Sequence, residues 1–176
     1  MRAKRSTWVV DALVQYLPRR LHVLEPAAGN GDMVHALVAH GYSVTCSDIR
    51  DGVDFLKMSK APHGVAAIIT NPPYHAIKNV SQAQRFIEHA LALMEPVDGL
   101  VAMLLKAEFD TATGRGHLFG RCPMFAKKIT LTERIVWFPE TGGRPSENHA
   151  WFVWDFRHRG LPDPIYVYER PQGQGP

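Results

Sequence analysis

The sequence predicts a doubly wound α/β fold on a mainly parallel sheet, and three observations lead there. Short apolar runs alternate with helix-patterned stretches through residues 7–106. Two of those runs, VAAII and LVAMLL, are apolar without alternation, as strands covered on both faces are. After Lys106 the pattern changes to two β-rich runs separated by a long polar loop, which reads as an antiparallel hairpin at the C-terminal side of the sheet.

The elements follow in order. From Thr7 to Leu17, apolar residues recur at Val9, Val10, Leu13, Val14 and Leu17, a helical spacing with Ser6 as N-cap and Pro18 as the stop. LHVLE (21–25) reads as a buried strand; GNGD breaks it, and MVHALVAHGY reads as a helix ending at Gly41. SVTCSDI (43–49) is a second strand, and turn-rich RDGVDFLKMSKAPHG leads into a third, VAAIIT (65–70). VSQAQRFIEHALALM places Phe86, Ile87, Ala90, Leu91, Leu93 and Met94 along one helical face, and GLVAMLLK (99–106) is a fourth strand. Residues 107–126 are irregular; KITLTERIVWF and AWFVWDF then form the hairpin, joined by PETGGRPSENH. The tail PQGQGP (171–176) is expected to be disordered. With 176 residues and no internal repeat, residues 1–176 read as one domain.

Composition narrows the class. An apolar fraction of 45% and a charged fraction of 21% are those of an ordinary globular chain. No run has the length of a membrane span and the N-terminus has no signal-peptide pattern, so a cytoplasmic location and no membrane partner are expected. The two cysteines form no CxxC pair, and none of the nine histidines falls into a ligand motif, so no metal is expected. Lys and Arg outnumber Asp and Glu by five to one in residues 1–20 and nine to six in 106–160, but number five against eight in 21–105. A mildly acidic middle between basic flanks suits a polyanion beside a hydroxyl-rich ligand, and equally suits an unpatterned solvated surface.

Ligands of open α/β sheets bind beyond the carboxyl ends of the strands. Three strand ends here carry distinctive residues. EPAAGNGD begins with Glu25, Pro26 and Ala27, and its Gly29 and Gly31 let the backbone turn tightly and approach a ligand. It is not GxGxxG, so a ligand lying against the loop fits better than a cradled diphosphate. Asp48, followed by Ile49, can accept hydrogen bonds from both hydroxyls of a ribose; Asp54 and Phe55 offer an acceptor for an exocyclic amine and an apolar wall for a purine. In TNPPY, Pro72 and Pro73 stop a buried strand abruptly between Asn71 and Tyr74.

The order and spacing of EPAAGNGD, SDI, DFL and TNPPY resemble the class I S-adenosylmethionine-dependent methyltransferases, and TNPPY resembles the [DNS]PP[YFW] motif of their amino-methylating branch, best known in N6-adenine DNA methyltransferases. The matches cover most of residues 6–156, with no large target-recognition domain. The resemblance implies a Rossmann-like, seven-stranded, mainly parallel sheet with an antiparallel C-terminal hairpin, and S-adenosylmethionine as cofactor. It implies cofactor contacts from Thr7 and Trp8 on the first helix, from Glu25, Pro26, Ala27, Gly29 and Gly31, from Asp48 and Ile49, from Asp54 and Phe55, and from Asn71.

An exocyclic amine is a poor nucleophile because its lone pair is delocalised into the ring. If the Asn71 side-chain oxygen and the Pro72 carbonyl each accept one N–H, the nitrogen is pushed toward pyramidal geometry, and the prolines hold those acceptors in place beforehand. Tyr74 supplies a face on which a flipped base can stack. Asn71, Pro72, Pro73 and Tyr74 are therefore the expected catalytic set, with Tyr74, Lys106, Arg115 and Arg144 as substrate contacts and Arg121, Lys127 and Lys128 as further cations for a phosphate backbone. The expected partner is nucleic acid, DNA first, methylated at adenine N6. RNA adenine-N6 or guanine-N2 and protein glutamine are alternative acceptors, and a non-catalytic nucleic-acid-binding module is the alternative class.

Overall fold

The computed structural model describes residues 8–77, 80–135 and 147–167; Thr7, Arg144 and the 171–176 tail lie outside the described residues. The elements are α1 (Trp8–Val14), β1 (His22–Glu25), α2 (Asp32–Ala39), β2 (Ser43–Cys46), β3 (Ala67–Thr70), β4 (Ala76–Ile77), β5 (Val80–Ser81), α3 (Gln82–Met94), β6 (Leu100–Lys106), β7 (Phe125–Leu131), β8 (His149–Asp155) and β9 (Asp163–Val167). Seven strands form one sheet in the order β2-β1-β3-β6-β8-β7-β9, while β4 and β5 make a two-residue antiparallel ladder at the entrance to α3.

Strands β2, β1, β3 and β6 run parallel, and β8 lies antiparallel between β6 and β7, which is the hairpin expected from the sequence. The six strands read from the sequence are all present, and the seventh position is taken by β9, parallel to β7. Pro164 in β9 reads as a strand breaker, yet proline is tolerated on an edge strand, where β9 sits. Two other boundaries move. The first hairpin strand, expected over 128–138, covers Phe125–Leu131 among the described residues, with 136–138 lying outside them, and β2 stops at Cys46, because Asp48 turns inward to cap a short 3-10 turn over Ile49–Asp51.

Helices cover both faces of the sheet. Successive strand residues point to opposite sides, and here both sides are apolar. Val23, Ile69 and Trp151 pack under α1 and α2, whereas their neighbours Leu24, Ile68 and Phe152 pack under α3. The α3 helix starts at Ser81, whose hydroxyl accepts the Gln84 N–H at 3.3 Å, an N-cap bond. The buried indoles of β8 each donate to a carbonyl, Trp151 to Val9 at 2.8 Å and Trp154 to Leu118 at 2.6 Å. The first ties α1 to the sheet, and the second ties down the irregular segment after β6. No helix among the described residues is long and apolar enough to cross a membrane.

Candidate active site

The chain places β2 on one side of β1 and then returns across it to β3, so the strand order reverses between β1 and β3. The carboxyl ends at this switch point form the crevice where an open α/β sheet binds ligands. Glu25 ends β1, Asp48 follows β2, and Asn71 follows β3.

The loop after β1 is built by two glycines. Gly29 has φ +56° and Gly31 has φ +82°, backbone conformations that a side chain would strain. Gly31 caps α2 without any side-chain bond, so its backbone alone turns the chain into the helix. The Gly29 N–H donates to Asp48 Oδ2 at 2.7 Å, which ties this loop to the end of β2.

Asp48 is the electrostatic centre of that tie. Its Oδ1 accepts from the Arg50 backbone N–H at 3.0 Å and from Arg50 Nε at 2.9 Å. Burial raises the Asp48 pKa, but the hydrogen bonds from Arg50 and Gly29 and the Arg50 charge outweigh it and hold the carboxyl below its ordinary range. It is thus an ionised acceptor. Oδ1 already accepts two donors and Oδ2 one, so Oδ2 keeps a free lone pair. Arg50 was not singled out in the sequence; its position two residues after a strand-end Asp was the available signal.

Glu25 behaves in the opposite way. It is 1% exposed, and its Oε1 accepts the Ala27 N–H at 3.0 Å. Desolvation pushes its pKa up to about 8, against the lowering pull of Thr70 and Ala27 and with a further push from Asp48. At neutral pH the end of β1 therefore holds a protonated carboxyl near the ionised one that follows β2. Pro26 is buried next to it.

The remaining predicted cofactor residues divide between core and surface. Ile49 is 65% exposed beside Asp48, an apolar side chain standing in solvent. Phe55 is 2% exposed, its ring 4.9 Å from those of Phe86 and His89, so the open apolar surface near Asp48 belongs to Ile49. Asp54 uses Oδ1 to accept the Leu56 N–H at 3.1 Å, while Oδ2 lies 3.5 Å from Lys57 Nζ at the surface. Trp8 is buried in the core cluster under α1.

At the end of β3, Pro72 is buried and Asn71 is half-buried. The Tyr74 hydroxyl points inward, 2.9 Å from the Asn71 side-chain oxygen and 2.7 Å from the Leu104 carbonyl of β6. Burial and the Glu147 charge raise the Tyr74 pKa, so the phenol stays protonated. The His149 ring lies edge-on to Tyr74 at 6.4 Å, and burial lowers its pKa despite the opposing influence of Glu147 and Glu108.

Four of the predicted substrate cations, Lys106, Arg115, Lys127 and Lys128, have partners within the chain. Lys106 pairs with Glu147, Lys127 with Asp163 at 3.1 Å, and Lys128 with Asp110 at 2.8 Å. The Arg115 guanidinium covers the Phe109 ring at 3.8 Å and donates to the Phe109 carbonyl at 3.0 Å. Charge counts along a sequence do not show these partners. Among the described residues, no group of three or more His, Cys, Asp or Glu side chains could hold a metal ion.

No protein-family model matches the sequence, and no curated protein matches it. Solved structures do match in fold. A Listeria monocytogenes protein assigned to the class I S-adenosylmethionine-dependent methyltransferases superposes with a TM-score of 0.58 at 12% identity, over 92% of this chain and 62% of that one. The methyltransferase subunit of a type I restriction-modification system from Streptococcus thermophilus gives 0.59 at 11% identity, over 90% of this chain and 44% of the other. The 23S rRNA methyltransferase ErmE gives 0.56 at 18% identity, over 90% and 70%. The chain spans less than two thirds of the length of the first two. These likenesses establish the fold: the Rossmann-like sheet is that of class I S-adenosylmethionine-dependent methyltransferases.

Proposed function

We propose that this chain is an S-adenosylmethionine-dependent amino-methyltransferase whose acceptor is the N6 amine of adenine in DNA. The observation that carries the reading is Asn71-Pro72-Pro73-Tyr74 at the carboxyl end of β3, on the switch point that also gathers Gly29, Gly31 and Asp48.

The residues present fit the cofactor. Two positive-φ glycines leave the backbone bare where a Cβ would stand, and Asp48 is ionised with acceptor capacity left for a ribose hydroxyl. Ile49 supplies an exposed apolar side chain for an adenine face, and Asp54 Oδ2 is an acceptor for its amine. When bound, S-adenosylmethionine supplies an electrophilic methyl group on sulfonium.

The chain's own part is to orient the acceptor. The Asn71 carboxamide oxygen and the Pro72 carbonyl accept the two amine protons, which draws the nitrogen lone pair out of conjugation. Pro72 and Pro73 fix the backbone, so the acceptors need little reorganisation when the base arrives. The flipped base rests against the exposed part of Tyr74.

An RNA amine is the second reading. What supports it is the likeness in fold to the 23S rRNA methyltransferase ErmE. The test is transfer of a tritiated methyl group to a panel of unmethylated DNA, RNA and glutamine-bearing peptide, with digestion of labelled products. N6-methyladenine from DNA is the expected product. Label confined to the peptide refutes a nucleic-acid acceptor, and no label in any acceptor refutes the enzyme.

A further inference from the structure

The Tyr74 phenol oxygen lies 2.9 Å from Asn71 Oδ1 and 2.7 Å from the Leu104 carbonyl oxygen. Two oxygens at hydrogen-bonding distance need two protons between them, and a phenol carries one. With Oδ1 facing the phenol, one of these contacts sets lone pair against lone pair. A carboxamide turned by 180° has the same outline, since its oxygen and nitrogen are assigned from their hydrogen bonds and not from shape. The turned amide resolves the conflict. Asn71 Nδ2–H donates to the phenol oxygen, and the phenol O–H donates to Leu104.

The sheet register explains why a phenol sits there. Thr70 pairs with Met103, so one further step sets Asn71 opposite Leu104. In a parallel ladder the Leu104 carbonyl would then be served by the N–H of the following residue. That residue is Pro72, which has none. The proline that fixes the acceptor geometry orphans a carbonyl, and Tyr74 reaches back to satisfy it.

We infer that Tyr74 is a positioning residue: its hydroxyl, relayed from the Leu104 carbonyl, fixes the Asn71 carboxamide with Nδ2 inward and Oδ1 turned away from the phenol, toward an acceptor amine. The inference rests on the proposed amino-methyltransferase reading. It assigns to the hydroxyl a task separate from stacking, which needs only the ring. An amide left to rotate would present its N–H₂ to the substrate amine half the time, donor against donor.

The experiment is 15N NMR of the Asn71 side-chain amide in the full chain, identified by its loss in Asn71→Ser, with steady-state kinetics alongside. In the unmodified protein one Asn71 carboxamide proton should be shifted and protected from solvent exchange. In Tyr74→Phe that proton should lose its shift and exchange at least tenfold faster. Turnover in Tyr74→Phe should fall about twofold, the share of amides turned the wrong way, while KM for the acceptor and cofactor affinity stay unchanged. An unshifted, freely exchanging amide in the unmodified protein overturns the inference without any variant. So does an amide spectrum unchanged by Tyr74→Phe, or full turnover in that variant. If the unmodified protein transfers no methyl group, the functional reading fails instead, and the amide spectrum still decides the orientation.

Discussion

Glu25→Gln should make the protein more stable, and increasingly so as pH rises. A carboxyl whose pKa is higher folded than unfolded binds more protons in the native state, so stability falls as pH rises between the two values. For Glu25 that interval runs from the ordinary 4.5 to about 8. Each pH unit inside it costs about 1.4 kcal/mol, so the full interval has an upper bound of roughly 5 kcal/mol. Glutamine stays neutral at every pH and retains an oxygen for the Ala27 N–H, which donates to Glu25 at 3.0 Å. The assay is urea unfolding of both proteins from pH 4.5 to 9. The two curves should meet near pH 4.5, diverge through neutrality and run parallel above pH 8. Asp48, which interacts with Glu25, stays ionised over this range, and titrating groups that do not interact with Glu25 cancel in the difference. A gap that stays constant with pH would refute the reasoning, because it would mean that Glu25 ionises in the fold as readily as in water.

Three further outcomes follow from the same geometry. Asn71→Ala should lower methyl transfer by about 10²–10³-fold, the scale of losing one preorganised polar group, while calorimetry shows cofactor affinity unchanged within about twofold. Asp48→Asn removes the ionised acceptor and should weaken binding of S-adenosylhomocysteine by about 1.5–3 kcal/mol, read by the same calorimetry. Trp151→Phe leaves the Val9 carbonyl without the 2.8 Å indole bond and should cost about 1–3 kcal/mol in urea unfolding before any packing loss.

Much of this was legible in the sequence, for physical reasons that differ by element. Strands buried on both faces, such as Ala67–Thr70 and Leu100–Lys106, are written as unbroken apolar runs, and α3 shows its buried face in the spacing of Phe86, Ile87, Ala90, Leu93 and Met94. The Gly29 and Gly31 pair and the double proline also show themselves, because few residues can adopt those backbones. The inward turn of Asp48 did not show: an aspartate that ends a strand and one that caps the next turn look alike in sequence. Strand β9 was hidden by Pro164, which is acceptable only because the strand lies at an edge. Side-chain partners were the least legible. Lys106 and Glu147 lie 41 residues apart, and the meeting of Tyr74 with Leu104 depends on a register that no local pattern encodes.

The claim that Asn71 presents an acceptor amine for methylation meets its most direct test in one paired measurement. Unmethylated DNA is incubated with deuterated-methyl S-adenosylmethionine and either the unmodified protein or Asn71→Ala, and the digested nucleosides are weighed by mass spectrometry. The account predicts trideuterated N6-methyladenine with the unmodified protein and a loss of about 10²-fold or more with the variant. Equal yields from both proteins would contradict it.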